Sequence, residues 1–122
     1  YNDIIFHRVV KDFVIQAGDG TSLGRTASTI KGEFSSNGVE NNLSHERGVV
    51  SMARTSVKDS ASSQFFIMLE DNASLDGQYA AFGRVIAGMD VVDKIGSVVT
   101  DANDKPLKDI KIKRAEFVKV SE

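Results

Sequence analysis

Short runs of β-branched and aromatic residues alternate with polar, turn-forming stretches along most of the chain. Residues 4–10, 13–17, 48–53, 63–69 and 81–86 each form such a run, and a sixth covers residues 110–120. Runs of this length, bounded by Gly, Asn, Asp and Ser, predict β-strands. Several short strands separated by turns predict a mostly β domain, either a barrel or a sandwich.

One segment has a helical rather than an alternating pattern. Met89, Val92 and Ile95 recur every three residues, and Gly96 follows them. This spacing predicts a short helix over residues 88–96, with Gly96 as its C-terminal cap.

Residues 20–46 are rich in Gly, Ser, Thr and Asn and contain few apolar residues. They predict a long loop, in which we expect short ordered pieces around Ile30 and Phe34. Loops of this length in compact domains are usually either functional or mobile.

The length, net charge and cysteine content of the chain exclude several kinds of protein and binding partner. A chain of 122 residues fits one domain, so we expect residues 1–122 to form a single domain. The net charge of −2 argues against nucleic acid or an anionic membrane as an electrostatically driven partner. The absence of cysteine excludes disulfides and thiolate nucleophiles, and it fits a reducing compartment, so we expect a cytoplasmic location. No apolar run approaches the ~18 residues of a membrane span.

Two patterns point towards chemistry that their context does not support. Residues 20–24 match the G-x-S-x-G pattern of serine hydrolases around Ser22, but no helical pattern follows, as that motif requires. His7 and His45, the only histidines, lack the spacing of a shared metal site. We expect His7 to be structural, His45 to lie in a surface loop, and no cofactor or metal to be needed.

The strand pattern places unlike side chains on one surface. Gln64 and Phe66 are two residues apart, as are Val14 and Gln16, so each pair shares one face of a strand. Each strand therefore presents one apolar and one polar group to the same side. The buried interior of a barrel would have no use for the glutamines, which indicates an outward-facing site.

Several sequence blocks, in order and at matching spacing, resemble the cyclophilin-type peptidyl-prolyl cis–trans isomerases. The blocks are Phe6-His7-Arg8, residues 13–19 (FVIQAGD), Ser51-Met52-Ala53, residues 63–67 (SQFFI), Leu75-Asp76-Gly77 and residues 82–85 (FGRV). The resemblance spans nearly the whole chain. The short loops and residues 30–34 (IKGEF) are similar to the compact bacterial members.

The resemblance implies a fold, which is an antiparallel closed β-barrel of eight strands with short helices and an active site on its outer surface. Two strands and a helix normally precede the position of Tyr1. We therefore expect the cyclophilin-like domain of residues 1–122 to be N-terminally incomplete, with further residues upstream; the alternative is that this piece needs a partner to fold.

The resemblance also implies a site, with Arg8 as the catalytic residue and no cofactor. The residues that would bind substrate are Phe13, Val14, Phe66 and Leu75 in a proline pocket, Gln16 and Gln64 as orienting polar groups, Ala53 and Arg54 along the peptide backbone, and Tyr79 at the groove edge. The substrates implied are proline-containing peptides and unfolded or partly folded proteins.

The chemistry of this reaction explains the residue types. Rotation about a peptide bond has a barrier of about 18–20 kcal/mol, because it breaks the amide conjugation. No bond is cleaved, so neither a nucleophile nor a general base is required. A guanidinium that meets the lone pair of the twisted prolyl nitrogen would bind the transition state better than the planar amide.

Four positions depart from the common family pattern. Ser74 stands where many animal cyclophilins have tryptophan, so we expect weak binding of the cyclic peptide cyclosporin. Val14, Arg54 and Tyr79 replace a common methionine, asparagine and histidine.

Three other hypotheses remain at this stage. The chain could be a cyclophilin-fold module that binds proline-containing segments without turnover, which Arg8→Ala would distinguish from the isomerase. It could be the serine hydrolase considered above. It could also be an unrelated small barrel with a ligand in a hollow interior, in which Gln64 and Phe66 would have no role.

Overall fold

The protein, seen here in a computed structural model that describes residues 1–119, consists of five strands and one α-helix joined by ordered loops. The elements are β1 (Arg8–Val10), β2 (Val14–Ala17), β3 (Val49–Met52), β4 (Phe65–Met68), β5 (Ala81–Arg84) and α1 (Met89–Gly96). Single turns of 3₁₀ helix cover Thr21–Leu23, Ser35–Asn37 and Ala73–Leu75. The five strands and the helix predicted up to residue 96 are confirmed, although each strand is shorter than its apolar run.

The strands form one antiparallel sheet in the order β1-β2-β4-β3-β5. Arg8 lies opposite Gln16, Gln16 opposite Phe66, and Phe66 opposite Ser51. Residues directly opposite in neighbouring strands share a face, so these four side chains form one row across the sheet.

One face of the sheet carries the larger apolar core. Val9, Ile15 and Ala17 are at most 2% exposed there, and Val92 of α1 packs against them. Full burial of a side chain the size of Ile15 stabilises the fold by roughly 1.5–3 kcal/mol. The three-residue spacing of Met89, Val92 and Ile95 therefore positions α1 by its apolar side. This face is filled by side chains, in contrast to the hollow interior that a ligand-binding barrel would need.

The opposite face carries a second, smaller cluster. Its buried members are Val14, Ala53, Phe66 and Met68, and Phe13, Val49, Leu75 and Tyr79 pack against it at half-buried positions. Because the cluster is covered by loops rather than by a helix, part of it remains accessible to a ligand.

The final predicted strand, over residues 110–120, is wrong for most of its length. Residues 110–112 pair with residues 3–6, through hydrogen bonds from the backbone amides of Asp3 and Phe6 and one from Ile112 to Ile4. Beyond Ile112 no strand forms up to residue 119, and Phe117 and Val118 are fully or largely exposed. Val120 lies outside the described residues. The apolar alternation there has no neighbouring strand in the described part of the chain against which to pack.

Gly96 was expected to cap α1, and this expectation is also wrong. Gly96 is the last residue of the helix, and Ser97 is the capping residue. A Cβ atom at Gly96 would lie 2.8 Å from a methyl group of Leu69. The glycine is therefore explained by the close approach of the helix to the side chain of Leu69, the residue after β4, rather than by the end of the helix.

The long loop contains the two ordered pieces that its sequence predicted. Ile30 forms an isolated bridge with Ala61, and Phe34 is 1% exposed. These contacts dock the loop beside the smaller apolar cluster.

The closed eight-stranded barrel is not seen in residues 1–119, where the five-stranded sheet is open and has β1 and β5 at its edges. Among these residues, none of the helical segments combines the length and the apolar character needed to cross a membrane.

Candidate active site

A chain of side-chain hydrogen bonds runs across three strands on the outer face of the sheet. Nη1 of Arg8 donates to Oε1 of Gln16 over 3.1 Å, and Nε2 of Gln16 donates to Oε1 of Gln64 over 2.9 Å. All three groups are partly buried, which strengthens such bonds relative to water. The guanidinium of Arg8 is therefore held in one orientation, while its other N–H groups remain available for a ligand.

Beside Arg8 lies an open cavity of about 140 Å³ on the smaller apolar cluster. Its lining consists of Arg8, Phe13, Val14, Gln16, Ala53, Arg54, Phe66, Leu75 and Tyr79. The lining contains two arginines and no carboxylate, so the cavity combines an apolar floor with a positive rim.

The aromatic groups of the cavity floor pack on one another. Phe66 is 5% exposed and meets Tyr79 edge to face, with ring centroids 5.6 Å apart and an interplanar angle of 85°. Pairs with this geometry contribute about 0.5–1.5 kcal/mol beyond their buried area. Val14 is 2% exposed and completes the floor from β2.

His45 lies directly under this floor, so the expectation that it occupies a surface loop is wrong. Its ring stacks on Phe66 with centroids 6.0 Å apart, and its side chain is fully buried. Nδ1 lies 3.0 Å from Oδ1 of Asp76, and Nε2 lies 2.9 Å from Oγ of Ser51. The histidine therefore connects the segment before β3, the turn after Leu75 and the row on the sheet.

This buried network resembles a hydrolase triad in its order of contacts, but it cannot act as one. Ser51 is 0% exposed, so its hydroxyl cannot reach a substrate. Ser22, the serine of the G-x-S-x-G pattern, lies on an exposed 3₁₀ turn, and the ring of His45 bonds Asp76 and Ser51 instead. The geometry therefore gives no support to a serine hydrolase.

Arg54 forms one wall of the cavity with its side chain. Its guanidinium carbon lies 4.7 Å from the ring centroid of Phe34 and 4.6 Å from that of Tyr79. Nε and Nη2 donate to the carbonyl oxygen of Gln78, and Nη1 donates to that of Thr55. The sequence indicated only a backbone role here, because nothing in it places Phe34 beside residue 54.

His7 is half-buried next to Arg8, and its Nδ1 has no hydrogen-bond partner among the described residues. Desolvation by burial lowers the pKa of His7 below its ordinary value, opposed in part by the charge of Asp19 and by a contact with Gln64. His7 thus belongs to the surroundings of the hydrogen-bond chain and does not line the cavity.

Comparison with known proteins decides the family. The sequence profile of the cyclophilin type peptidyl-prolyl cis-trans isomerases matches residues 1–117 of this chain. The chain belongs to the cyclophilin family. The activity of this family is peptidyl-prolyl cis–trans isomerisation, and this cyclophilin is accordingly an isomerase.

Curated relatives carry the same activity in their names. Peptidyl-prolyl cis-trans isomerase CYP18-2 of Arabidopsis thaliana is 41% identical over 119 residues, which are 97% of this chain and 72% of that protein. Peptidyl-prolyl cis-trans isomerase-like 1 of Aspergillus niger is 42% identical over 119 residues, covering 97% and 73%. These relatives are eukaryotic, so the resemblance to bacterial members is not confirmed.

Solved structures agree with the fold. A crystal structure of a cyclophilin from Cryptosporidium parvum has a TM-score of 0.80 at 30% identity, covering 93% of this chain and 72% of that one. A second structure of the same protein, in the presence of the dipeptide Ala-Pro, also has a TM-score of 0.80, at 32% identity.

The fold brings all ten predicted site residues of this cyclophilin to one surface. Nine of them line the cavity, and Gln64 joins them through Gln16. Gln64 also lines a neighbouring polar hollow, which shares Gln16, Ala53 and Arg54 with the cavity. The individual roles of these residues in binding and catalysis stay predictions.

Sequence reasoning missed the place of His45 beneath the cavity and the contact of Phe34 with Arg54. Both residues come from the long polar loop, where no periodic pattern indicates what an inward-facing side chain contacts. Among residues 1–119, no group of three or more His, Asp and Glu side chains is arranged to bind a metal ion.

Proposed function

We propose that this cyclophilin isomerises Xaa-Pro bonds in peptides and in unfolded or partly folded proteins, with the proline ring in the 140 Å³ cavity and Arg8 as its catalytic residue. The observation that carries the proposal is the guanidinium of Arg8, fixed by Gln16 at the rim of an apolar floor.

Arg8 would act on the twisted state of the amide. As the bond rotates, the prolyl nitrogen becomes pyramidal and gains a lone pair that the planar amide lacks. An N–H of Arg8 directed at that nitrogen stabilises the transition state selectively, and selective stabilisation is what raises the rate. The guanidinium is suited to this because it stays charged and its planar fork is held by a neighbouring group.

The apolar walls add to the effect of the charge. Val14, Phe66 and Leu75 exclude water from one side of the proline ring, and electrostatic interactions are stronger in such a medium than in water. An acceleration of about 10⁵-fold needs about 7 kcal/mol of transition-state stabilisation. One fixed, charge-assisted contact in a partly dry site, together with orientation of the substrate, can supply an effect of that size.

Support for proline as the occupant comes from the Cryptosporidium parvum cyclophilin, whose structure was determined in the presence of Ala-Pro. The cavity has no strong polar group on its floor, which suits a ring that offers no N–H donor.

A protease-coupled assay with an Ala-Pro peptide tests the proposal. We expect Arg8→Ala to lower kcat/KM about 100-fold, which corresponds to about 2.7 kcal/mol, because a fixed transition-state donor is lost. Arg84→Gln serves as a matched control, because it removes an exposed charge on β5 outside the cavity and should leave the rate unchanged. A kcat/KM of Arg8→Ala equal to that of the wild type would contradict the role of Arg8.

Weak cyclosporin binding is part of the proposal and rests on Ser74. Ser74 is exposed on the 3₁₀ turn that also carries Leu75 of the cavity, and it offers little apolar area to a large cyclic peptide. We expect Ser74→Trp to tighten cyclosporin binding about tenfold, as one added aromatic contact contributes about 1.4 kcal/mol. Titration calorimetry on the wild type and on Ser74→Trp measures the two dissociation constants for cyclosporin. Equal affinities would contradict the proposal that Ser74 weakens cyclosporin binding.

A cytoplasmic location and a closed eight-stranded barrel are also proposals. The first is supported by the lack of cysteine, and fractionation of the source cells tests it. The second is supported by the TM-score of 0.80 to a solved cyclophilin, and an experimental structure of the whole protein tests it.

A further inference from the structure

The cavity has a second cation that the isomerisation step does not use. Arg8 meets the prolyl nitrogen in the proposed mechanism, whereas Arg54 is held separately, against the rings of Phe34 and Tyr79. Cation–π contacts with two rings restrict where a guanidinium lies without neutralising its charge. Arg54 therefore presents a charge in a defined place at the edge of the cavity.

The hydrogen bonds of Arg54 also leave its charge uncompensated. Its three donations all go to backbone carbonyl oxygens, those of Gln78 and Thr55. A guanidinium has five N–H donors, so two remain for a ligand. Within residues 1–119, no carboxylate oxygen lies within ion-pair distance of Arg54.

The surroundings extend the positive region. The cavity and the adjoining polar hollow share Gln16, Ala53 and Arg54, and neither has an aspartate or glutamate in its lining. Arg8 adds a second positive group at the same rim. This cyclophilin, whose net charge is −2, thus has a locally positive substrate surface. A local positive field of this kind favours negatively charged ligands even though the net charge of the whole molecule is negative.

We infer that Arg54 makes this cyclophilin favour substrates with a carboxylate side chain, Asp or Glu, on a residue flanking the proline. With the ring in the cavity, the flanking residue passes the boundary between cavity and hollow, where the two remaining donors of Arg54 can pair with a carboxylate in a fork arrangement. The inference rests on the proposed function, because it assumes that the proline ring occupies the cavity.

The expected preference is modest because the site is open to water. Partly exposed ion pairs contribute up to about 1 kcal/mol, which corresponds to about fivefold in kcat/KM. The preference should weaken at about 1 M salt, where the screening length is roughly 3 Å.

Exchange NMR on two pairs of peptides tests the inference. In one pair the residue before proline is Glu or Gln, and in the other pair the residue after it is Glu or Gln. For wild type, we expect the Glu peptide to exceed its Gln partner about fivefold in kcat/KM for at least one pair at low salt. In Arg54→Gln the same ratio should fall to about one, and Arg84→Gln should keep the wild-type ratio.

Each ratio is taken within one protein, so a general loss of activity in Arg54→Gln does not affect it. Equal rates for Glu and Gln peptides in the wild type would overturn the inference, as would a ratio retained in Arg54→Gln or lost in Arg84→Gln. If Arg54→Gln does not fold, the ratio measured for the wild type and its decrease at high salt still test the inference. Turnover of the Gln peptides by the wild type tests the proposed function separately.

Discussion

At the scale of single residues, the hydrogen-bond chain from Arg8 through Gln16 to Gln64 is the central feature of the site. Each glutamine has one oxygen and one amide nitrogen, so it can accept from one neighbour and donate to the next. Gln16 can therefore accept from Arg8 and donate to Gln64 at the same time. A carboxylate at residue 16 could only accept, and a lysine there could only donate.

Gln16→Leu tests the chain, because leucine is of similar size but cannot accept from Arg8. We expect kcat to fall about tenfold, which is about 1.4 kcal/mol, with a smaller change in KM. The reason is that Arg8 stays charged but is no longer held in the productive orientation. Steady-state kinetics separates the two parameters, and a rise in KM alone would mean that Gln16 contributes only to binding.

His7 should make the stability of the folded protein depend on pH. Burial lowers its pKa in the folded protein below the unfolded value of about 6.5, so the unfolded state binds the proton more readily. Stability from this group is complete above about pH 6.5 and declines as the pH falls towards the folded pKa. Urea unfolding between pH 5 and 8 should show a smaller acid loss in His7→Gln than in the wild type. Equal losses in both proteins would show that His7 is not the group responsible.

At the scale of elements, the strands could be predicted from the sequence because alternation is local information. The two-residue spacing of Gln64 and Phe66 placed both on the outer face, and the structure has Phe66 in the outer cluster and Phe65 against the inner core. The same reasoning could not find His45, because its burial depends on contacts with Asp76, 31 residues away. It failed for residues 113–119 because alternation alone does not supply a neighbouring strand.

Gly18 shows how closely β2 approaches the segment before β4. Its φ of 104° is unfavourable for other residues, and a Cβ atom there would lie 2.3 Å from the carbonyl oxygen of Ser63. The atoms that this Cβ would meet belong to the backbone of Ser63 and Gln64, so relief requires moving the segment that carries Gln64. The glycine thus positions a site residue from outside the cavity.

Gly18→Ala should therefore destabilise the fold by about 3 kcal/mol, from backbone strain and overpacking together. Gly24→Ala is the matched control, because Gly24 also has a positive φ, of 69°, but no atom within 4 Å of its added Cβ, so we expect a loss of about 1 kcal/mol. Chemical unfolding of both variants measures the difference. Similar losses would show that the conformational term, not the close approach, explains Gly18.

At the scale of the whole molecule, the two faces of the sheet differ: the larger apolar core lies on one face and the candidate site on the other. One face is filled by α1 and the larger core, and the other face carries the cavity, the two arginines and the loops that hold them. The location of the ten predicted site residues on one surface could be predicted from the sequence, because their blocks match a family in order and spacing. The contacts of His45 and Phe34 behind the cavity could not be predicted, because both residues belong to a long loop. Its residues are positioned by contacts that no periodic pattern indicates.

In the proposed mechanism, Arg8 acts on the twisted amide and not on the affinity for the ground state. Line-shape and exchange NMR of a labelled Ala-Pro peptide measures both quantities on one sample, the dissociation constant and the cis–trans rate in the bound state. For Arg8→Ala we predict a dissociation constant within about threefold of the wild type and a bound-state rate about 100-fold lower. A loss of turnover explained entirely by weaker binding, or a bound-state rate equal to that of the wild type, would contradict this role of Arg8.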